Sequence, residues 1–217
     1  FVYLPTNAPH GPFDEPPTRE LFEHFRDKLP DDKNTNRAVF YSMIQNVDDN
    51  MGRLAAKLDE LGIDEETLVL FLTDNGPAGG GSAGPYRGSK ASVYQGGIRT
   101  VCFLRWPNGI TAGSEISQTT AHLDLMPTIL EASDITPASK IRGQERLPWD
   151  GRSILPSIEG KKQKDPSLLY FSYARGKAIR VGNWKLVSNK DNKSEAQWEL
   201  YDMKKDPNEL NDLASTK

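Results

Sequence analysis

A single cysteine, Cys102, stands among the 217 residues. One thiol excludes an internal disulfide and a zinc site built on several cysteines. It leaves the compartment open, since a protein without disulfides can live anywhere. No apolar run approaches the ~20 residues that a membrane-spanning helix needs. A net charge of −3 gives no electrostatic footprint for nucleic acid or for an anionic membrane. Internal repeats and low-complexity tracts are absent. The N-terminus lacks the basic segment and following apolar stretch of a secretion leader. No methionine opens the chain either. Phe1-Val2-Tyr3-Leu4 starts at full strength as an apolar strand, so we expect a piece of a longer protein.

What is present is ordinary for a water-soluble globular protein, with 36% hydrophobic and 26% charged residues. The length suits one large domain or one and a half. After the first strand, residues 5–17 form a loop with prolines at 5, 9, 12, 16 and 17. A short helix is predicted over 18–30, with Thr18 as its cap. The clearest helix covers 36–61. There Phe40, Ile44, Val47, Met51, Leu54, Leu58 and Leu61 recur at three and four residues, and Gly62 stops the run. Residues 67–72 read as a strand buried on both faces, the pattern of a parallel sheet. Residues 74–97 are a loop carrying eight glycines, and a loop that long is usually functional or disordered. A strand over 98–106 and a helix over 124–132 follow.

Residues 134–166 are polar and turn-rich, a candidate boundary. Beyond them come short runs at 168–173, 177–181, 184–187 and 198–201, with Gly182-Asn183 as a hairpin signal. A terminal helix is predicted over 209–214.

The chemistry concentrates at strand ends. Asp74-Asn75 follows the buried strand 67–72, and ligands of open α/β sheets sit at that edge. A carboxylate and an amide oxygen are hard donors suited to Ca2+ or Mg2+, although Asp-Asn-Gly is also a common turn. Lys90 lies between Gly88 and the pair Gly96-Gly97. Glycines let backbone approach an anion and the ammonium supplies charge, although most loop lysines are simply solvated. His10 sits between Pro9 and Pro12 just past the first strand, and could give a proton to a leaving group. His24 reads as surface, His122 as structural and Asp124 as the start of a helix. Asp48-Asp49 falls off the apolar stripe of the long helix and Asp31-Asp32 lies in a turn, so neither is assigned to a metal. Cys102 reads as a small buried hydrophobe.

These signals occur together and in order. Phe1-x-Tyr3-Leu4-x-x-Asn7-Ala8-Pro9-His10-x-Pro12, Thr73-Asp74-Asn75-Gly76-Pro77, Arg87-Gly88-x-Lys90 with Tyr94-x-Gly96-Gly97-x-Arg99, and Trp106-Pro107 resemble the type I sulfatases, the arylsulfatase-like family. So do Asp124-Leu125-Met126-Pro127-Thr128, Asp150-Gly151-x-Ser153 and Ala178-Ile179-Arg180-x-Gly182-x-Trp184-Lys185-Leu186. Glu199-Leu200-Tyr201-Asp202, Asp206-Pro207-x-Glu209 and Asn211-Asp212-Leu213-Ala214 complete the likeness, which covers essentially the whole chain.

The resemblance implies an α/β fold of the alkaline-phosphatase-like superfamily. Residues 1–150 would be the C-terminal portion of the catalytic domain, a partial, mainly parallel sheet flanked by helices. Residues 151–217 would be a small subdomain, an antiparallel sheet with a terminal helix. It also implies that Asp74 and Asn75 are two ligands of a Ca2+ ion. Lys90 would grip a sulfate oxygen, and His10 would face the leaving oxygen of the ester or hold the sulfate. Gln95 stands where many members carry Glu. The substrate would be a sulfated small molecule or carbohydrate, and the compartment secreted, periplasmic or lysosomal.

The main departure is an absence. Family enzymes use a formylglycine made from the Cys or Ser of a Cys/Ser-x-Pro/Ala-x-Arg motif. Cys102 is followed by Phe103-Leu104-Arg105-Trp106, and no serine fits. The family's N-terminal Asp-Asp metal pair and its central lysine and histidine are missing too. We therefore expect the C-terminal half of a sulfatase, inactive alone and binding Ca2+ weakly, with exposed sheet edges that favour self-association. Two alternatives stay open. One is a phosphate or phosphonate ester hydrolase of the alkaline-phosphatase superfamily, against which Asn75 counts, because two-metal members typically place a histidine there. The other is a non-catalytic pseudoenzyme.

Overall fold

A computed structural model describes residues 1–29, 35–78, 81–164, 168–188 and 197–214. Asp31 and Asp32 lie outside these residues. Helix α1 (Arg19–Arg26) starts as predicted, with the Leu21 amide donating to Thr18 Oγ1 at 3.2 Å. That bond satisfies one of the amides a helix start leaves open. Helix α2 (Thr35–Glu60) lies against α1, with Phe25 and Tyr41 ring centroids 5.8 Å apart. It ends at Gly62, whose φ of +65° disfavours any side chain. The Gly62 amide donates to Asp59 O at 2.8 Å and the Ile63 amide to Leu58 O at 3.1 Å, the paired bonds of a Schellman ending.

Strands β1 (Val69–Leu72) and β2 (Cys102–Arg105) form where apolar runs predict them, but they pair antiparallel. Val69 faces Arg105 and Leu72 faces Cys102. Among the described residues no strand pair is parallel. An apolar run says that a strand's faces are to be covered; it carries no information on the direction of the neighbour. The expected strand at Phe1–Leu4 does not form, and Phe1 is 95% exposed. Strand propensity is not enough without an edge to pair with. Cys102 is exposed rather than buried, since the ladder is two strands wide and Phe103 beside it is 64% exposed.

Between these strands the short helix α3 (Gln95–Ile98) closes the glycine-rich loop. A 3-10 turn (His122–Asp124) leads into α4 (Leu125–Ala132). The Asp124 carboxylate accepts from the Ala121 amide at 2.8 Å and from the Arg152 amide at 3.0 Å. Thr128 Oγ1 accepts from the Ile154 amide at 3.0 Å. Asp124 and Thr128 therefore join the 150–154 turn to the helix, with Asp124 only 2% exposed. A two-residue hairpin, β3 (Lys140–Ile141) and β4 (Gln144–Glu145), and the single turn α5 (Leu155–Ile158) fill the polar stretch.

Four strands then form one antiparallel sheet in sequence order: β5 (Leu169–Tyr173), β6 (Gly176–Val181), β7 (Trp184–Ser188) and β8 (Glu199–Asp202). Gly182-Asn183 makes the predicted hairpin, with Val181 opposite Trp184. The terminal helix predicted over 209–214 is absent. Its amides are taken by side chains instead. Asp206 accepts from Leu210 and Asn211, both at 2.8 Å, and Asp212 accepts from Leu200 and Ala214. Local carboxylates of this kind compete with helix formation.

The buried apolar cluster is Val93, Tyr94, Ala178, Val187, Tyr201 and Met203. It lies between the glycine-rich loop and the four-stranded sheet. No helix among the described residues is long and apolar enough to cross a membrane.

Candidate active site

The Asp74-Asn75 turn and the loop bearing Lys90 are joined backbone to backbone. The Gly76 amide donates to Gly97 O at 2.8 Å, and the Lys90 amide donates to Pro77 O at 2.9 Å. The approach at Gly76 is closer than a side chain permits. A Cβ there would sit 1.9 Å from Gly96 O and 3.0 Å from Gly97 Cα. Gly96 and Gly97 are equally confined, a Cβ on either meeting a carbonyl oxygen at 2.3 Å. The glycines thus bring two stretches of chain into direct contact. The result places Asp74, Asn75 and Lys90 on neighbouring backbone.

Thr73, just before the turn, is fixed from another side. Its amide donates to Val101 O at 3.3 Å, and the His122 Nε2–H donates to its carbonyl at 2.9 Å. His122 is therefore structural, as the sequence suggests. Asp74 is exposed and Asn75 half-buried. Among the described residues no group pairs with the Asp74 carboxylate, and no cluster of three or more His, Cys, Asp or Glu side chains could hold a metal. The donors fit a hard cation in kind and supply two of the roughly six to eight oxygens that calcium takes.

His10 lies on an exposed turn closed by its own amide donating to Asn7 O at 2.9 Å. Its Nδ1 is 2.8 Å from Gly11 O, and a carbonyl can only accept. Nδ1 therefore carries the proton in the neutral ring, and Nε2 is the atom open to a ligand. Among the described residues no hydrogen bond connects His10 to the 74–97 segment. Of the expected site residues, the structure joins Asp74, Asn75 and Lys90, while His10 stays on its own turn. His24 and Asp48-Asp49 are exposed, as expected.

The anchoring of the loop is what sequence reasoning missed. Arg87 Nη1 donates to Tyr201 Oη at 2.6 Å and to Glu199 Oε2 at 3.1 Å, and its guanidinium lies 4.0 Å from the Tyr94 ring centroid. The Tyr94 and Tyr201 hydroxyls both donate to Glu199 Oε2, at 2.7 and 2.8 Å. Burial, then the bond to Glu199 and its negative charge, push both phenols well above the ordinary range. Lys185 and Glu209 form an ion pair at 2.6 Å with both side chains fully buried. Burial pulls the Lys185 ammonium down against the opposing pull of Glu209. Lys185 Nζ also donates to Val93 O at 2.9 Å, and the Gln95 amide donates to Glu209 Oε2 at 2.5 Å. One signal pointed to Lys185. It shares a strand face with Val187 by the two-residue period, so a core-facing strand carries a lysine at a core position.

Two family models match the chain. One is described as Sulfatase and matches residues 1–135. The other, N-sulphoglucosamine sulphohydrolase, C-terminal, matches residues 88–217. Steryl-sulfatase of Mus musculus is 32% identical over 156 residues, which are 66% of this chain and 24% of that protein. N-acetylgalactosamine-6-sulfatase of Mus musculus is 30% identical over 155 residues, 69% of this chain and 29% of that one. Among solved structures, Ps i-CgsB superposes with a TM-score of 0.81 at 26% identity, covering 97% of this chain and 45% of that one. The same protein has been solved in complex with k-i-k-neocarrahexaose. Another neighbour, solved with its substrate D-glucosamine-2-N,6-O-disulfate, superposes with a TM-score of 0.64 at 25% identity, covering 88% of this chain and 40% of that one. The chain thus spans less than half the length of these relatives.

Proposed function

This chain belongs to the sulfatase family, and we propose that the protein it comes from hydrolyses sulfate monoesters, with sulfated carbohydrates as the substrate class. The observation that carries the proposal is the backbone junction that sets Asp74 and Asn75 beside the loop of Lys90. Neighbours solved with a carrageenan oligosaccharide and with a glucosamine disulfate support the carbohydrate part.

In this reading Asp74 and Asn75 would be two of the ligands of a Ca2+ ion, which would supply Lewis-acid polarisation of a sulfate oxygen. Lys90 takes up negative charge on another sulfate oxygen as a compact point-charge ammonium. His10, as the doubly protonated imidazolium with its Nδ1–H held on Gly11 O, gives its Nε2 proton to the leaving alcohol oxygen. The nucleophile is not among these residues, because no Cys/Ser-x-Pro/Ala-x-Arg sequence occurs in them. The remaining calcium oxygens and the nucleophile are assigned to chain outside these 217 residues. We assign β1 and β2 to a larger, mainly parallel sheet in the same way. The exposed Phe103 and Phe1–Leu4 support that extension, and the same apolar surface would draw two copies of the isolated chain together.

The test is to express the full reading frame around these residues and assay sulfated monosaccharides and oligosaccharides with Ca2+. Sulfate release that falls by about a hundredfold or more in Lys90→Ala is expected, the scale of losing one preorganised electrostatic contact. Release of phosphate from phosphate monoesters, with sulfate esters untouched, would replace this reading with the phosphatase one. No turnover of either ester would leave a pseudoenzyme.

A further inference from the structure

We propose that the buried pair Lys185–Glu209 is a positioning device. It fixes the backbone on both sides of Tyr94 and thereby sets where Lys90 meets an anion. The function of Lys90 rests on the sulfatase reading; the clamp itself does not.

Two fully buried charges are a poor source of stability, because desolvation offsets most of their attraction. Their best-attested use is to fix a register. Here each charge spends its remaining bonding capacity on loop backbone. Lys185 donates to Val93 O at 2.9 Å, and Glu209 accepts from the Gln95 amide at 2.5 Å. Neither of those two groups bonds within a sheet ladder or a helix interior, and buried backbone groups must be partnered somewhere. The pair partners one on each side of Tyr94. Glu209 itself is held at a φ of +59°, a left-handed conformation that non-glycine residues seldom adopt. Such backbone persists only where its surroundings over-determine it.

The constraint reaches Lys90 through close-packed backbone. The Gly97 amide donates to Tyr94 O at 2.9 Å, the Gly96 amide to Arg87 O at 2.7 Å and the Ser92 amide to Ser89 O at 3.1 Å. A Cβ on Gly97 would meet Ser92 O at 2.3 Å and Ser89 O at 2.5 Å. The segment therefore has no room to absorb a shift at Val93 or Gln95 without moving Ser89 and Lys90. Gly76, bonded to Gly97, carries the same constraint to the Asp74 turn.

The experiment uses the complete protein and three variants: Lys185→Met, Glu209→Gln and the two combined. Amide hydrogen exchange is read by peptide, and kinetics on a sulfated sugar are read as KM and kcat. Each single variant leaves a buried charge unpaired and loses stability. The double variant removes both charges and recovers stability, yet Val93 O still lacks its donor. Positioning predicts faster exchange confined to 87–97. It predicts a KM raised by about tenfold or more in Lys185→Met and in the double variant, which lose the donor to Val93 O, and a smaller change in Glu209→Gln, which keeps an acceptor for the Gln95 amide. That scale is modest beside the ~100-fold that an ångström of misplacement can cost. If KM returns to the parental value along with stability in the double variant, or if exchange rises equally in α2, the pair is merely structural and the proposal is overturned. If the single variants fail to fold, the double variant decides by the same readouts. If the parent protein has no sulfatase activity, the sulfatase reading fails, and exchange within 87–97 still decides the clamp.

Discussion

Gly76→Ala is the most direct test of the junction between the Asp74 turn and the Lys90 loop. The added methyl would lie 1.9 Å from Gly96 O, 2.8 Å from the Gly96 carbonyl carbon and 3.0 Å from Gly97 Cα. All three atoms are backbone, so no side chain can swing aside. Overpacking costs ~1–3 kcal/mol, and a clash on rigid backbone falls at the upper end. Separating the strands of chain also breaks the 2.8 Å bond from the Gly76 amide to Gly97 O, which adds ~1 kcal/mol. The sum is about 3–4 kcal/mol, a large share of the ~5–15 kcal/mol that holds a typical domain. At ~2–4 °C per kcal/mol for a chain of this size, Tm drops by roughly 6–16 °C. Gly52→Ala is the matched control. Gly52 lies within α2, and a Cβ there meets nothing within 4 Å. Removing a helical glycine stabilises by ~0.5–1 kcal/mol, so Tm rises by roughly 1–4 °C. Thermal and urea denaturation read both. Equal effects from the two substitutions, or a Gly76→Ala loss below about 1 kcal/mol, would refute the close approach and with it the argument that joins Asp74 to Lys90.

Asp124→Ala should cost about 2–4 kcal/mol by urea denaturation, because it orphans the Ala121 and Arg152 amides; Asp124→Asn, which keeps an acceptor, should cost clearly less, and equal losses would contradict the bonding described. Tyr94 and Tyr201 stay protonated where ordinary phenols ionise, so their contribution to stability is full below pH ~10 and is lost only as pH rises beyond it. Ultraviolet titration of the Tyr94→Phe/Tyr201→Phe double variant should leave the absorbance step near pH 10 unchanged, and a smaller step would show that these phenols titrate normally. Calorimetry on the 217-residue chain should find Ca2+ binding weaker than ~10 μM, given two recognised ligands; tighter binding abolished by Asp74→Ala would show that the donor set is fuller than described. The same chain should not turn over an aryl sulfate, for want of a nucleophile; turnover that survives repurification and vanishes in His10→Ala would overturn that expectation.

The sequence is legible wherever the determining contacts are local. Thr18 caps α1, Gly62 ends α2 and Gly182-Asn183 turns β6 into β7, because each depends on neighbours a few positions away. Residues 209–214 misled for a related reason: their composition suits a helix, while the carboxylates of Asp206 and Asp212 draw the amides into loop bonds. Strand direction was not legible, since β1 and β2 show the same apolar run whichever way they pair. The turn at Asp74 and the loop at Lys90 were both picked out, and what joins them is a pair of amides that any sequence would have. The sequence places Val93-Tyr94 in a long loop, and the structure places both in the core. Its partners come from β6 to β8 and from Met203, at a separation no periodicity reports. In the sequence Lys185 and Glu209 stand out only as members of a motif, although a lysine on the face of Val187 is itself a signal of a buried charge.

The bonds that hold the loop also fix the order in which it can form. Arg87 and Glu209 are 122 positions apart, and the Gln95 amide meets a carboxylate 114 positions later. Contacts of that separation are slow to close, because the entropy of the intervening chain is lost before they reward it. On the ribosome, at ~5–20 residues per second, several seconds pass between the synthesis of Lys90 and that of Glu209. Until Lys185 is made the loop has its glycines and its local turns but none of its buried anchors, and until Glu209 is made the Gln95 amide and Lys185 lack their carboxylate. A nascent chain stalled before residue 185 therefore carries a formed α2 and a loose Lys90, and one stalled before 209 still lacks the partner of the Gln95 amide. A protease added to stalled chains should cut within 87–97 until Glu209 has emerged, and not after.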